Sequence, residues 1–165
     1  MPIVSPHTPV DPFADGRQSD TALMVRRGVQ RLFTAMGFAL IPEMTLKTGR
    51  RADLVALSAK GEFWIVEIKS SLEDLRADGK WPDYRAFCDR LLFATHAGVA
   101  MHHFPEETGF IVADGYGAEI VRPAPEHRLA AAARKAMTLR FARLAAGRAT
   151  RAELDSSFDA ASDLS

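Results

Sequence analysis

The sequence contains a single cysteine, Cys88, among its 165 residues. One cysteine forms no internal disulfide and builds no thiolate metal site alone, so disulfide-stapled scaffolds and cysteine-based zinc sites are excluded. The chain also lacks an apolar run approaching the roughly 18 residues of a membrane span. Its first residues, MPIVSPHTPVDPFADG, have neither the basic start nor the continuous apolar core of a secretory signal. We therefore expect a soluble, cytoplasmic protein.

An excess of charge of either sign is also missing, because 21 Lys and Arg residues balance 21 Asp and Glu residues. A nucleic-acid partner is therefore indicated only where positive charge is concentrated. Residues 128–151 concentrate it, with seven bases and no acid: Arg128, Arg134, Lys135, Arg140, Arg143, Arg148 and Arg151. This segment is either a phosphate-binding surface or a solvated helix face that packs Met137, Phe141 and Leu144 inward.

The length of the chain fits one domain. Residues 1–16 contain four prolines and no apolar period, which predicts a flexible arm without regular structure. Residues 17–150 form the expected domain. Residues 151–165 carry four acids and no base after Arg151, which predicts a flexible acidic tail.

Apolar spacing within the domain predicts a helix, three strands, a helix and a strand, followed by a hairpin and a C-terminal helix. The first helix begins after an N-cap at Asp20 and ends at Gly37, and the three strands cover 38–46, 53–57 and 62–69. Short helical pieces lie within 71–88, and a buried strand covers 90–95. The hairpin covers 110–113 and 118–121, and the last helix runs from Pro125 to about Ala146. This order is an α/β (α+β) single domain. Pro42 places the first strand at an edge of the sheet or makes it kink.

The loop between the second and third predicted strands fixes which side chains meet. It is three residues long and ends at Gly61, which suits the left-handed position of such a hairpin. Counting back from this loop pairs Asp53 with Glu67, with Cβ atoms about 5 Å apart. Lys69 lies two residues beyond Glu67 and shares its face. The hairpin therefore gathers Asp53, Glu67 and Lys69.

Two carboxylates at such a separation repel each other, and a divalent cation relieves the repulsion. Hard oxygen ligands suit Mg²⁺ or Mn²⁺, which retain several waters and accept phosphate oxygens. Lys69 would then position or activate the attacking water, or offset charge on the phosphate. The alternative is an exposed strand end at which Glu67 and Lys69 form ordinary ion pairs with Asp53 and Arg51.

Three segments, RADLVAL at 51–57, FWIVEIKSS at 63–71 and KWPDYRAFCDRLLFATH at 80–96, resemble the MmcB-like DNA-repair proteins of bacteria. The resemblance covers roughly residues 20–122. Asp53 and Glu67-Ile68-Lys69 also resemble the PD-(D/E)XK nuclease superfamily, whose common core runs helix, three strands, helix, strand. Ala52 stands where that superfamily has its proline, a substitution that it tolerates.

The resemblance implies a restriction-endonuclease-like fold and a DNA-repair function. It implies Asp53 and Glu67 as metal ligands and Lys69 as the catalytic lysine. Many members of the superfamily supply another acid from the first helix, but here that helix has none after Asp20. Glu43, on the first strand, is the nearest substitute. The function implied is a Mg²⁺- or Mn²⁺-dependent DNA endonuclease.

The candidate DNA contacts are basic, aromatic or hydroxyl residues on the first helix or after the site: Arg26, Arg27, Ser70, Lys80, Trp81, Tyr84 and Arg90. Bases hold phosphates and aromatic rings stack on nucleobases. The alternative is that Trp81 and Tyr84 pack in the core and that Arg90 pairs with Asp89. A serine here either contacts a phosphate or caps a helix, since Ser-x-x-Asp begins at Ser71.

Other functions remain as alternatives. The same fold without efficient cleavage would be a DNA-binding or repair-partner module. Zinc is not favoured by His96, His102 and His103, because no second ligand motif accompanies them. DNA is the expected partner, and a repair protein that delivers it and a homodimer are left open.

Overall fold

The computed structural model describes the backbone of residues 16–162 and the side chains of residues 20–157. In chain order the elements are α1 (Gly16–Ala35), β1 (Ala39–Thr45), β2 (Arg51–Leu57), β3 (Phe63–Ile68), α2 (Leu72–Ala77), β4 (Arg90–Thr95), β5 (Gly109–Ala113), β6 (Ala118–Arg122) and α3 (Ala131–Ser162). Two 3-10 helices, Trp81–Phe87 and Met101–His103, lie before and after β4. This order confirms the predicted fold class. Within the described ranges, the helices are too short or too polar to cross a membrane.

All six strands form one sheet in the order β1-β2-β3-β4-β5-β6. The first three strands pair antiparallel, β3, β4 and β5 run parallel, and β6 returns antiparallel to β5. Strand β1 therefore lies at an edge, as Pro42 predicted. The carboxyl ends of β3, β4 and β5 meet the start of β2 at one end of the sheet. We call this the carboxyl end.

Helix α1 covers one face of the sheet. Val25, Val29 and Phe33 recur every four residues along α1 and are fully buried. The strand residues beneath them are Leu54, Ala56, Val66, Ile68, Leu92, Ala94, Ile111 and Ala113. Because strand side chains alternate between faces, the neighbouring residues of β2 and β3 point to the opposite side.

The opposite face is covered by α3 and by the 3-10 helix Trp81–Phe87. Met137 and Phe141 are buried one turn apart on α3, and the rings of Phe141 and Phe63 lie 5.9 Å apart. This agrees with the second of the two alternatives for the basic segment, a helix face that packs inward. Glu67 and Lys69 follow the alternation of Phe63 and Ile65 towards this face, at the carboxyl end of the sheet. Asp53 lies where the alternation of β2 is interrupted, since Ala52 and Val55 both pack into the core of this face.

The β2–β3 hairpin has the predicted register. Gly61 adopts φ +84°, and the pairing joins Leu57 to Phe63 and Val55 to Ile65. The main chain keeps this pairing as far as Leu54 and Val66. Asp53 and Glu67 follow this last pair, and side-chain bonds rather than main-chain pairing join them.

The predicted start of α1 and the predicted end of α3 are wrong, whereas α1 ends at Ala35, close to the predicted stop at Gly37, which has φ +82°. Helix α1 begins at Gly16, so Asp20 lies more than one turn inside it and is not the N-cap. Helix α3 continues through Gly147 to Ser162 instead of stopping near Ala146. A glycine costs only about 1 kcal/mol inside a helix, and Arg148 bonds to β1 immediately beyond it. Of the predicted flexible arm only Gly16 lies within the described residues, and of the predicted tail residues 163–165 lie outside them.

The start of α3 differs for a different reason. Residues 125–130, which the alanine-rich composition assigned to the helix, are not helical. The main-chain N–H groups of His127 and Leu129 donate to the carbonyl and the carboxylate of Asp89, at 2.7 and 2.9 Å. These bonds hold the segment against the sheet, and α3 begins only at Ala131.

Asp89 is a buried carboxylate that joins several elements. It is 1% exposed and accepts hydrogen bonds from Arg134 at 2.6 and 2.9 Å and from the N–H of Phe63 at 2.8 Å. Burial alone would raise its pKa, but the bonds from Arg134, Leu129 and Phe63 outweigh burial and lower the pKa. Asp89 therefore pairs with Arg134 and not with Arg90.

We expect Asp89→Asn to lower the free energy of unfolding by about 2 kcal/mol at pH 7, because it leaves Arg134 without its charged partner. Because the pKa of Asp89 is lowered in the folded state, its contribution is complete above the unfolded value of about 3.9 and is lost as the pH falls through the folded value. The difference between wild type and variant in urea unfolding should therefore be constant from pH 5 to 8 and shrink below about pH 4.

Asp83→Asn is the matched control. Asp83 also pairs with an arginine, Arg50, at 2.8 Å, but its side chain is 54% exposed. Exposed pairs contribute about 0–1 kcal/mol, so this variant should unfold almost like wild type. Equal losses in the two variants would contradict a special role for Asp89.

Candidate active site

The β2 and β3 strands separate at the carboxyl end, and two carboxylates fill the gap between them. The N–H of Asp53 donates to Glu67 Oε1 at 3.1 Å, and the N–H of Ile68 donates to Asp53 Oδ2 at 2.8 Å. Each acid thus bonds to the main chain of the opposite strand. The structure brings Asp53 and Glu67 together as their spacing predicted.

Burial makes it costly for these two acids to be charged together. Burial is the main cause that raises the pKa of Asp53, although the N–H of Ile68 and the charge of Lys69 oppose it. The pKa of Glu67, which is 4% exposed, is raised well above its usual range by burial and then by the charge of Asp53. The pair therefore favours a nearby positive charge.

Lys69 follows β3 and is 7% exposed. Its Nζ lies 2.8 Å from Asp78 Oδ2, just after α2. Burial alone would lower the pKa of Lys69, but the ion pair with Asp78 and the charges of Asp74 and Glu67 outweigh burial and raise the pKa. Lys69 is therefore a protonated amine at neutral pH, fixed by an acid other than the two on the strands.

The turn after Lys69 is fixed by the start of α2. Ser71 is the N-cap of α2 and accepts a hydrogen bond from the N–H of Asp74, as the Ser-x-x-Asp pattern predicted. Asp74 in return accepts from the N–H of Ser70 at 3.0 Å. His96, after β4, lies 2.9 Å from the Ser70 carbonyl oxygen. Ser70 thus lies beside the site in a turn with defined bonds.

Asp53, Glu67 and Lys69 line a cleft of about 790 Å³ at the carboxyl end of the sheet, whereas Ser70 does not line it. The bases of its lining are Arg26, Arg50, Arg51, Lys69 and Lys80, and the acids are Glu43, Asp53, Glu67, Asp74 and Asp78. Glu67 is buried on the floor, whereas Arg51 and Lys80 are exposed at the rim. An acidic floor below a basic rim suits a cation that is held beneath a phosphate.

Glu43 lies in the cleft lining on an irregular part of β1. Its neighbours Pro42 and Met44 pair with β2, and Glu43 has φ 52°, in the left-handed region. Among the described residues it is the one non-glycine with positive φ. Its carboxylate lies 3.9 Å from Arg51 at the rim. The structure therefore places Glu43 at the mouth of the cleft, beside the strand that carries Asp53.

The two arginines proposed as DNA contacts on α1 differ in position. Arg26 lines the cleft, and its Nε is buried without a hydrogen-bond partner among the described residues. Arg27 is exposed and does not line the cleft. A buried guanidinium nitrogen without a partner is costly, so Arg26 favours an anion in the cleft.

The residues of the 3-10 helix divide into cleft and core. Tyr84 lines the cleft, is 8% exposed and donates its hydroxyl to the Arg51 carbonyl at 3.1 Å. Trp81 packs edge-on against Phe93 at 5.9 Å and lies under Arg85, so packing accounts for its ring. Lys80, at the start of this helix, reaches the rim.

Arg90 is not brought to the cleft. It begins β4 beside Trp64, at the opposite end of the sheet from Glu67. Its guanidinium lies over the Trp64 ring at 5.5 Å and donates to the Ala124 carbonyl. These contacts explain Arg90 by packing, because the register of a parallel strand decides which end of the sheet a residue occupies.

Sequence reasoning missed Asp74 and Asp78. They lie four residues apart around α2 and hold Ser70 and Lys69. Their spacing was a usable signal, because residues at i and i+4 share a helix face and this pair follows directly after β3. Arg50, which also lines the cleft, follows the turn at Gly49 and has no motif that would mark it.

The donor set fits a hard divalent cation through two carboxylates. Within the described part of the chain, no group of three or more His, Cys, Asp and Glu residues is arranged to hold a metal ion. Mg²⁺ needs only one or two protein carboxylates, because it keeps most of its waters. The raised pKa values of Asp53 and Glu67 are consistent with a missing positive charge between them. The three histidines of residues 96–103 form no such group either.

Comparison with known proteins gives a family and a structural relative. The family model described as DNA repair protein MmcB-like matches residues 9–156. A protein of unknown function from Silicibacter pomeroyi has a similar solved structure, with a TM-score of 0.78 and 41% sequence identity over 81% of this chain and 91% of that chain. No match was found among curated proteins.

We expect Glu67→Gln to raise the melting temperature at pH 8 in EDTA. The glutamine oxygen still accepts from the N–H of Asp53, but the buried charge is removed. Because the pKa of Glu67 is raised in the folded state, the protonated form stabilises the fold below about pH 4.3, and this stability is lost as the pH rises through the folded value. Thermal unfolding should therefore show a larger gain at pH 8 than at pH 4.5.

Glu106→Gln removes an exposed carboxylate and is the control for net charge. A similar gain in this variant would assign the effect to overall charge. A loss of stability in Glu67→Gln at pH 8 would show that the charged form is not the costly one.

Proposed function

Since the chain belongs to the MmcB-like family of DNA repair proteins, we propose that it is a Mg²⁺- or Mn²⁺-dependent DNA endonuclease with a PD-(D/E)XK core. One observation carries the proposal. The Glu67 carboxylate accepts from the N–H of Asp53, the Asp53 carboxylate accepts from the N–H of Ile68, and the buried lysine Lys69 follows Ile68 directly. The order helix, three strands, helix, strand supports assignment to this superfamily.

Asp53 and Glu67 would hold the ion, and Glu43 at the cleft mouth is a further candidate ligand. The bound ion supplies positive charge beside the scissile phosphate and makes a water molecule more acidic. The reaction proposed is hydrolysis of a phosphodiester, in which water adds to phosphorus and a sugar oxygen leaves. Two buried carboxylates with raised pKa values are suited to this ion because it removes their mutual repulsion.

Lys69 acts as a cation in this proposal. Its raised pKa makes it a poor proton acceptor at neutral pH. A protonated amine fixed next to the two carboxylates would stabilise negative charge that develops on the phosphate and would orient the attacking water. Asp78 would keep Lys69 charged and oriented until the phosphate enters.

The basic residues of the cleft would bind the DNA backbone. Arg26, inside the cleft, and Lys80, at its rim, would contact phosphates on either side of the scissile bond. Ser70 lies beside Lys69 and would donate to a phosphate oxygen. Because the chain has no net charge, we propose that affinity depends on these local contacts or on a repair-protein partner or second subunit that delivers the substrate.

A DNA substrate places the activity in the cytoplasm. The single thiol is compatible with this location, since Cys88 is 1% exposed and burial raises its pKa to about 12. A thiol of this kind is inert, so no role in the reaction is assigned to it.

We expect Lys69→Met and Asp53→Ala each to reduce cleavage of labelled DNA by at least about 100-fold in Mg²⁺ or Mn²⁺, because each removes charge that acts on the reacting phosphate. Lys60→Met is the control, since Lys60 is an exposed lysine in the β2–β3 loop. The assay compares single-stranded, duplex and branched substrates by gel electrophoresis. Lys60→Met should cut like wild type.

The same assay tests the alternative of a binding module. If wild type binds DNA but cuts none of the substrates in either metal, the endonuclease proposal is wrong. In that case Lys69→Met should weaken binding and reduce its salt dependence by about one charge. Under the proposal Lys69→Met leaves affinity close to that of wild type.

Arg26→Gln should weaken DNA binding in EDTA by about fivefold and reduce the salt dependence by about one charge, because Arg26 faces the cleft. Arg27→Gln is the matched control on the same helix and should change affinity less than twofold. Fluorescence anisotropy between 50 and 200 mM salt measures both. Equal effects would show that DNA follows the outer surface of α1.

A further inference from the structure

Strand β1 contains an irregularity that the sheet alone does not explain. Pro42 pairs with Leu54 and Met44 with Ala52, but no pair is formed at Glu43. Glu43 has φ 52°, a conformation that side chains other than those of glycine, asparagine and aspartate rarely adopt. Strain of this kind persists only where surrounding contacts hold it.

The contact that holds it comes from α3. Arg148 Nη1 donates to the Pro42 carbonyl at 2.6 Å, and Nη2 donates to the Glu43 carbonyl at 3.1 Å. One planar guanidinium therefore binds the two successive carbonyl groups that flank the Cα atom of the strained residue Glu43. This fork has the fixed geometry that lysine cannot supply.

A second arginine on the same helix shows that the fork is specific. Arg140 Nη1 donates to the Thr45 carbonyl at 3.2 Å, also on β1. It forms one bond to a residue with ordinary conformation, and that residue does not line the cleft. Both arginines attach α3 to β1, but only Arg148 contacts the strained residue.

The strained conformation has a consequence at the cleft. Counting along the β1–β2 register places Glu43 opposite Asp53, and the β2–β3 register places Asp53 opposite Glu67. Glu43 thus stands next in a row of three acids on three neighbouring strands. Its carboxylate lines the cleft at the mouth, next to Arg51.

We infer that Arg148 is a positioning residue for the cation site: its guanidinium holds the β1 irregularity so that the Glu43 carboxylate stays at the cleft mouth. This inference rests on the proposed function, because it assumes that the ion lies at Asp53 and Glu67. Since no group of three or more His, Cys, Asp and Glu residues among the described residues is arranged to hold a metal ion, Glu43 would contact a bound ion through a water molecule. Residues that contact a metal ion through its bound water or through another ligand typically change metal affinity by 10–100-fold when they are substituted.

The test is Mn²⁺ binding in the absence of DNA, measured by isothermal titration calorimetry and by electron paramagnetic resonance. Glu43→Gln and Arg148→Met should each weaken binding by about tenfold. The double variant should bind no more weakly than either single variant, because both changes remove the same carboxylate. Arg140→Met should bind Mn²⁺ like wild type. Arg148→Lys should fall near Arg148→Met, since lysine cannot bind both carbonyls.

Thermal unfolding of the same variants separates positioning from stability. Arg140→Met and Arg148→Met each remove bonds between α3 and β1, so both should lower the melting temperature. Only Arg148→Met should lower Mn²⁺ affinity.

Three outcomes would overturn the inference. Normal Mn²⁺ binding by Arg148→Met while Asp53→Ala abolishes it would leave the endonuclease proposal intact and reject the role of Arg148. Additive losses in the double variant would show that Arg148 acts without Glu43. Failure of wild type to bind Mn²⁺ would reject both the inference and the metal-dependent function.

Discussion

The fold depends on the carboxylate of Asp89 at the end of the sheet opposite the cleft. It lies just before β4, bonds to the first residue of β3 and pairs with Arg134 in the first turn of α3. Bonds to His127 and Leu129 hold the segment that leads into that helix. One buried charge therefore fixes the start of two strands and the path of the longest helix.

The direction of α3 follows from this anchor. From Arg134 the helix crosses the face of the sheet that contains Phe63 and reaches the edge strand β1, where Arg140 and Arg148 bond to main-chain carbonyls. Of the basic residues that suggested a phosphate-binding helix, Arg134, Arg140 and Arg148 therefore stabilise the fold. Helix α3 does not line the cleft, but it holds the edge strand β1 that does.

Two sets of buried acids in this protein have opposite properties. Asp89 has a lowered pKa because hydrogen bonds and Arg134 outweigh its burial. Burial raises the pKa of Asp53, and burial together with the charge of Asp53 raises the pKa of Glu67. Similar burial therefore produces a stabilising charge at one end of the sheet and a costly one at the other. Where a fold keeps costly charges, a ligand that relieves them is the natural explanation.

Much of the fold and the centre of the site followed from the sequence. The hairpin register was accessible because a three-residue loop with glycine fixes the pairing of the residues behind it as far as Leu54 and Val66, which brings Asp53 next to Glu67. The bounds of α3 were not accessible, because its start depends on Asp89 and its extension on Arg148, both long-range contacts. Arg90 and Trp81 were misleading for the same reason, since composition does not show at which end of a sheet a residue lies.

The arginines of α3 that bond to β1 also bear on how the protein behaves in a crowded solution. An edge strand exposes main-chain groups to which a strand of another molecule can pair, which is a common beginning of aggregation. Here Pro42 has no N–H to offer, the carbonyl groups of Pro42, Glu43 and Thr45 are already bonded by α3, and the irregularity at Glu43 interrupts the flat surface. The sheet is therefore closed to extension along this part of β1. The contacts that shape the mouth of the cleft thus also protect the protein from pairing with itself.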